Sequence, residues 1–254
     1  MRHTRRMPTI LISGASSGLG AEMARQFAAR GHDLALCARR TDRLEELRSE
    51  IVAAHPDRRL ETRALDVNDH DAVFEVFRAF RADFGSIDRV VINAGLGKGA
   101  PLGTGRFDAN RETAMTNFVA ALAQTEAALE IFREQNAGHL VVISSMSAMR
   151  GMPKAGTTYA ATKAGVAHLA EGVRADVMGT PIKVSVIYPG YIRSEMNEKV
   201  KSPPFIVPTE VGVTAMVDAI EKEKPSAKVP AWPWVPVGFA LRHLPLPLAR
   251  RLMG

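Results

Sequence analysis

Short apolar runs alternate with longer stretches whose apolar residues recur every three to four positions, nearly to the end of the chain. The short runs predict strands over residues 9–13, 33–38, 61–66, 89–93, 139–144 and 183–188, with a last short one at 228–230. The periodic stretches predict helices over 18–30, 42–54, 69–84, 111–136, 158–177 and 209–222. Inward faces are legible in the first three helices: Met23, Ala24, Phe27 and Ala28, then Leu44, Leu47 and Ile51, then Val73, Val76, Phe77 and Phe80. A strand such as Leu140-Val141-Val142-Ile143 offers water no polar face, as a sheet covered on both sides requires.

Strands and helices in this order build right-handed βαβ units. The expected fold is therefore α/β, a Rossmann-type doubly wound parallel sheet of about seven strands with helices on both faces. No repeat, low-complexity tract or linker interrupts the 254 residues, so a single domain over 1–254 is expected. Its unpatterned parts are a basic tail at 1–8, a substrate lid at 193–208 and an apolar tail with prolines and tryptophans at 229–254.

Composition mainly excludes. The single cysteine, Cys37, rules out an internal disulfide and a multi-cysteine metal site, and its apolar strand suits a buried, inert thiol. Cytoplasmic residence is the corresponding expectation. The seven histidines show no zinc-ligand spacing, and no metal is expected. A net charge of +6 would suit nucleic acid, an anionic membrane or a phosphorylated cofactor. No helix-turn-helix, zinc-finger or aromatic RNA-binding pattern accompanies it, which argues against nucleic acid. Arg2, Arg5 and Arg6 read as solvated charge, and Ile10-Leu11-Ile12 runs into a glycine turn too soon for a signal peptide.

That turn carries the first candidate chemistry. Gly14, Ser16, Ser17, Gly18, Leu19 and Gly20 lie between the first strand and first helix. Glycines there let the backbone approach a pyrophosphate, and the helix N-terminus offers free N–H groups and partial positive charge. The spacing differs from Gly-x-Gly-x-x-Gly, and a tight turn without a ligand is the bland alternative. At the end of the second strand, where an NAD enzyme places a carboxylate on the ribose 2′-hydroxyl, stand Arg39 and Arg40. Guanidinium groups grip a 2′-phosphate, so NADP(H) is expected over NAD(H), with solvated loop charge as the alternative.

The second candidate is Tyr159-Ala-Ala-Thr-Lys163. Residues four apart share a helix face, so phenol and ammonium would enter one site. A nearby cation lowers a tyrosine pKa from about 10, which suits proton transfer near neutral pH.

Taken in order, the glycine turn, Asp66-Val67, Asn93-Ala94-Gly95, Asn117, Ser144-Ser145, Tyr159-x-x-x-Lys163 and Pro189-Gly190 resemble the short-chain dehydrogenase/reductase family over residues 9–228. The resemblance implies hydride transfer between a nicotinamide and a carbonyl or alcohol. Tyr159 would be the acid–base and Ser145 the group that hydrogen-bonds the substrate oxygen. Lys163 would tune the tyrosine and hold the nicotinamide ribose, and Asn117 would complete a proton relay. Asp66 is implied at the adenine, with Val67 beside it. Asn93, Ala94 and Gly95 would brace the sheet next to the cofactor, while Pro189, Gly190, Ile192 and Ser194 would shape the nicotinamide side. Asp66 and Asn93 are equally capable of capping strand ends. Three departures stand out: Ser13 for threonine, Ile92 for asparagine, and one extra residue between Ser145 and Tyr159, which leaves Ser147 as a second candidate for the serine role and predicts a bulge near 149–154.

Segments 96–107 and 193–208 are expected to wall the substrate pocket. The tail's Trp232, Trp234, scattered leucines, Arg242, Arg250 and Arg251 suit a peripheral membrane contact or a cover over an apolar pocket, hence a lipophilic carbonyl or alcohol substrate; packing against the domain or a second subunit is the alternative. By resemblance, the helices carrying Asn117 and Tyr159 pair into a homodimer or homotetramer, with Val166, Leu169 and Val173 as apolar outer positions. The rival functions are an NAD-linked alcohol dehydrogenase and a catalytically idle nucleotide-binding module.

Overall fold

A computed structural model describes residues 7–198 and 203–252. Arg2, Arg5 and Arg6 of the basic tail, and Lys199 and Lys201 of the expected lid, lie outside them. Seven strands, β1 (Thr9–Ser13), β2 (Asp33–Ala38), β3 (Leu60–Ala64), β4 (Arg89–Ile92), β5 (Gly138–Ile143), β6 (Ile182–Pro189) and β7 (Ser226–Val229), form one sheet in the order β3-β2-β1-β4-β5-β6-β7. Every pairing is parallel. The chain winds outward first through β2 and β3, then returns to β4 on the other side of β1. The order thus reverses between β1 and β4, and in such sheets the crevice beyond the strand C-termini at the reversal is where ligands bind.

Alternate residues of each strand feed two cores. On one face α1 (Gly18–Ala29), α2 (Thr41–Ala54) and α7 (Thr209–Glu221) cover Ile10, Ile12, Leu34 and Leu36, with Phe27 and Met216 fully buried. On the other, α3 (His70–Phe84), α5 (Ala120–Gln135) and α6 (Gly156–Asp176) cover Leu11, Val90, Leu140 and Val142, with Phe77 and Phe132 fully buried. The inward faces expected for the first three helices are buried except Val76, which is partly exposed. Cys37 is buried and its thiol pKa is pushed up to about 12 by loss of water, so it is inert.

Two regions depart from the sequence pattern. The helix expected from residue 111 begins earlier, as α4 (Phe107–Ala114), and passes through a π turn at Met115–Val119 before α5. The tail folds into α8 (Ala231–His243) and α9 (Leu246–Leu252) despite its prolines. Trp232 is non-helical (ψ 131°), so regular helix begins at Pro233, and Pro236 falls within the first turn. Pro233, at the first helical position, lacks only an N–H that no helical carbonyl would have used. Of the positions that suit either a subunit contact or the monomer core, Val166 sits in the core at 2% exposure. No helix among the described residues is long and apolar enough to cross a membrane.

Candidate active site

The glycine turn closes tightly against β4. Gly14 takes φ +65° and Gly18 φ +55°, a region that favours glycine. A Cβ on Gly14 would lie 2.8 Å from Ala94 Cα, and one on Gly20 would lie 2.7 Å from Asn93 Nδ2. Asn93 earns this proximity by donating through Nδ2 to the carbonyls of Ser13 (3.1 Å) and Gly14 (3.2 Å). Ser13 answers by accepting, through Oγ, the N–H groups of Asn93 (3.2 Å) and Ala94 (3.3 Å), so the hydroxyl shared with threonine does the work.

The turn fits a dinucleotide pyrophosphate on its own chemistry. Ser17 occupies the N-cap of α1 without a side-chain cap bond, and the first turn holds no acidic residue. A 12-residue helix therefore presents uncapped N–H groups and its positive end beside a cradle that a Cβ would fill. Arg39 and Arg40 are both exposed at the end of β2. Arg40 reaches back through Nε to Ser16 Oγ (3.3 Å) and through Nη2 to Ser17 Oγ. Val67 is buried beside the exposed Asp66, whose Oδ1 accepts from the N–H (3.0 Å) and side chain (3.1 Å) of Asn68. Asp66 thus caps the chain's exit from β3, whatever else it binds.

At the end of β5 two bonds seat α6. Ser144 Oγ donates to Lys163 O at 2.8 Å, and Lys163 Nζ donates to Ile143 O at 2.8 Å. Lys163 is 6% exposed, and burial lowers its pKa from 10.5 to about 8. Its Nζ lies 5.9 Å from the centroid of the Tyr159 ring. Phenol and amine therefore share one face, as their spacing predicts.

The electrostatics differ from the simple expectation. Burial raises the Tyr159 pKa, a hydrogen bond from Ser145 pulls it down, and the nearby Tyr191 phenol pushes it up. Loss of water around the phenolate outweighs any help from Lys163, whose charge is itself disfavoured by the same burial. Tyr159 is consequently a phenol at neutral pH in the free site.

Ser145, not Ser147, faces the tyrosine. Ser147 donates to Ser145 Oγ through its N–H (3.2 Å) and its hydroxyl (3.0 Å). A serine oxygen has two acceptor positions and one proton, so this arrangement leaves the Ser145 proton free to donate toward the site. Between Ser145 and α6 the chain makes a 3-10 turn (Met146–Met149), and Lys154 takes φ +58°. Ser145→Ala is expected to lower kcat about 10²- to 10³-fold, whereas Ser147→Ala, which only loosens the orientation, should cost less than about 10-fold. Steady-state kinetics of the two variants check this.

Asn117 lies in the π turn, 2% exposed, with its amide bound to Leu96 in both directions: Oδ1 accepts from Leu96 N (2.7 Å) and Nδ2 donates to Leu96 O (2.9 Å). A Cβ on Gly95 would meet Asn117 Oδ1 at 3.3 Å and Lys163 Nζ at 3.5 Å, so asparagine and lysine converge on that glycine. The sequence reading overlooked Asn110, which grips Ala100 in the same two-way fashion (3.2 and 3.0 Å) and accepts from Thr158 Oγ1 at 3.0 Å, tying the 96–107 loop to α6. The visible signal was its spacing: Asn110 and Asn117 stand seven apart, on one helical face.

The substrate side is built from three segments that touch. A Cβ on Gly97 would lie 2.9 Å from Met196 Cγ, which joins the 96–107 loop to the segment after β6. Ile192 pairs by its backbone with Val207, and Ser194 lies against Gly18, where an added Cβ would meet Ser194 Cβ at 3.6 Å. Trp234 of α8 packs flat against Gly190, next to Pro189 at the end of β6, with Tyr191 (6.0 Å) and Phe205 (5.9 Å) beside it. Arg150 donates to the carbonyls of Leu241 and Arg242 (3.4 Å each), which fastens α8 over the loop that follows Ser145.

A parallel sheet with a glycine turn at its reversal point, and a serine, tyrosine and lysine gathered at the end of β5 two strands away, fits a dinucleotide-dependent oxidoreductase site. The short chain dehydrogenase family profile matches residues 8–204, and the chain belongs to that family. An uncharacterised oxidoreductase of Mycobacterium tuberculosis is 52% identical over 242 residues, covering 95% of this chain and 96% of its own. A short-chain dehydrogenase from Sphingobium yanoikuyae in complex with NADPH is similar in structure (TM-score 0.79, 26% identity, 87% of each chain). So is a short chain dehydrogenase/reductase from Burkholderia phymatum in complex with NAD (TM-score 0.84, 20% identity, 96% of this chain and 95% of that one), where the likeness is one of fold. Neighbours with either cofactor are thus found, and the choice rests on this chain's own residues.

Proposed function

We propose that this chain is an NADP(H)-dependent oxidoreductase that reduces a lipophilic ketone or aldehyde to its alcohol. The observation that carries the reading is the buried Lys163, its Nζ 5.9 Å from the centroid of the Tyr159 ring, with Ser145 beside that tyrosine at the strand ends that face the glycine turn. A bound nicotinamide supplies the hydride. Ser145 and Tyr159 hold the substrate oxygen, and Tyr159 hands it a proton as negative charge develops. Tyr159 is a phenol at neutral pH, so it carries the proton that reduction of a carbonyl consumes. Lys163 positions the ribose from behind, and Asn117, fixed to Leu96, holds the wall through which a proton is resupplied. Gly14, Ser16, Ser17, Gly18, Leu19 and Gly20 receive the pyrophosphate, and Asp66 and Val67 border the adenine. Pro189, Gly190, Ile192 and Ser194 line the nicotinamide side.

NADP(H) is favoured because the end of β2 offers Arg39 and Arg40 rather than a carboxylate. A lipophilic substrate is favoured because Phe205, more than half exposed, packs on Trp234 beside Tyr191, and Met196, Trp232 and Phe239 are likewise more than half exposed. Val235 and Phe239, four apart, emerge on one side of α8 and Trp232 just before it is 80% exposed, with no acidic residue between Val229 and Gly254, so this tail suits contact with an anionic membrane. A homodimer or homotetramer through α5 and α6 is supported by a groove between them that Leu129, Leu169 and Val173 line.

The test is a fluorescence titration with NADPH and NADH, followed by a chain-length series of aldehydes and ketones. Tighter NADPH binding and a kcat/KM that rises with chain length are expected. Tighter NADH binding with short alcohols preferred would favour the NAD-linked dehydrogenase. Binding without turnover of any substrate would favour an idle nucleotide-binding module.

A further inference from the structure

One carboxylate reaches across the cofactor end from the segment after β6. Glu195 opens the 3-10 turn Glu195–Asn197, and its Oε2 accepts from both Nη1 and Nη2 of Arg40 at 3.3 Å while Oε1 accepts from Arg43 Nη1 at 3.4 Å. Arg40 is simultaneously tied to Ser16 and Ser17 of the glycine turn. Each carboxylate oxygen thus serves one arginine, at the rim of the turn, much as two oxygens of a phosphate would. Burial works to raise the Glu195 pKa, but its contacts with Ser17, Arg40 and Arg43 bring it below the usual carboxylate value, so it is charged at neutral pH. Arg39, by contrast, is exposed and has no polar partner among the described residues.

We infer that Glu195 tempers cofactor specificity by occupying, as an internal anion, Arg40, one of the two arginines that a ribose 2′-phosphate needs. The inference rests on the reading of Arg39 and Arg40 as 2′-phosphate ligands. NADP(H) must displace the carboxylate to engage Arg40, whereas NAD(H) presents a neutral hydroxyl there and has no cause to. The side chains of Arg40, Arg43 and Glu195 are 44%, 49% and 48% exposed, and pairs this open are weak and screened by salt. The carboxylate is therefore a competitor that a phosphate dianion displaces, not a block. It lowers the affinity for NADPH and narrows the margin over NADH.

The experiment measures dissociation constants for NADPH and NADH, by fluorescence or calorimetry, with wild type, Glu195→Gln and Arg40→Ala. Glu195→Gln is expected to tighten NADPH about 3- to 10-fold while NADH shifts by less than about 2-fold, and the gain should shrink as salt rises. NADPH binding that is unchanged or weaker in Glu195→Gln, or an equal shift for both cofactors, overturns the inference. Arg40→Ala separates the two claims. If it loosens NADPH while Glu195→Gln does nothing, only the role of Glu195 fails. If NADPH affinity survives Arg40→Ala and Arg39→Ala alike, the 2′-phosphate reading fails and the role of Glu195 falls with it. An unchanged melting temperature for Glu195→Gln shows that the fold is intact.

Discussion

Tyr159→Phe is expected to bind NADPH as tightly as wild type and to turn over about 10²- to 10⁴-fold more slowly. The substitution removes one oxygen from a side chain whose ring stays packed, so the fold has little reason to change. What disappears is the proton donor and the partner that Ser145 bonds. The ketone oxygen would then develop negative charge with a single serine hydroxyl beside it, which accounts for the size of the loss. The split is the informative part, because a merely structural tyrosine would move cofactor affinity and thermal stability along with kcat. Rapid-mixing kinetics with a cofactor titration measure both.

Lys163→Met is expected to cost activity and raise stability together. A lysine whose pKa falls from 10.5 in the unfolded chain to about 8 when buried carries a penalty of about 3 kcal/mol while charged. Methionine fills a similar volume without charge. It forfeits the charge-assisted bond to Ile143 O, worth about 1.5–3 kcal/mol, so a net gain of about 0–1.5 kcal/mol is expected at pH 7. The sign of the pH dependence follows from which state binds the proton. Between about pH 8 and 10.5 the unfolded lysine keeps a proton that the folded one has lost, so wild-type stability climbs with pH through that window. The methionine variant lacks this climb, and its advantage should shrink by about 1.4 kcal/mol for each pH unit above 8. Denaturant unfolding at pH 7 and pH 9 measures it. A variant less stable than wild type at pH 7 would mean that the lysine's contacts, not its charge, dominate.

The sheet and its cores were legible because β1, β2, β4 and β5 bury apolar residues on both faces, and a two-sided parallel sheet leaves few other arrangements; the edge strand β3, Leu-Glu-Thr-Arg-Ala, buries only Leu60. The glycine turn and the Tyr159–Lys163 pair were legible for a different reason: each is a local spacing, and local spacing is what a helix or turn converts directly into geometry. Three things were hidden. Phe107–Ala114 carries too few apolar residues to declare a helix, because Asn110 spends its inward position on hydrogen bonds to Ala100 instead of packing. The prolines of α8 argue against a helix unless one knows that Trp232 is extended and that they fall in the first turn. The Glu195–Arg40 contact joins residues 155 apart, and no periodicity reports such a pairing. The direction of the Tyr159 shift was hidden as well, since the spacing to Lys163 declares a cation nearby but not how little water remains.

A crystal structure with NADPH and a ketone analogue bound tests the proposed chemistry most directly. The nicotinamide should lie against Pro189 and Gly190, with the analogue's oxygen within about 2.6–3.2 Å of both the Ser145 and Tyr159 hydroxyls. A nicotinamide lodged away from Tyr159, or a tyrosine hydroxyl turned from the analogue's oxygen, would remove the basis for proton transfer by this residue.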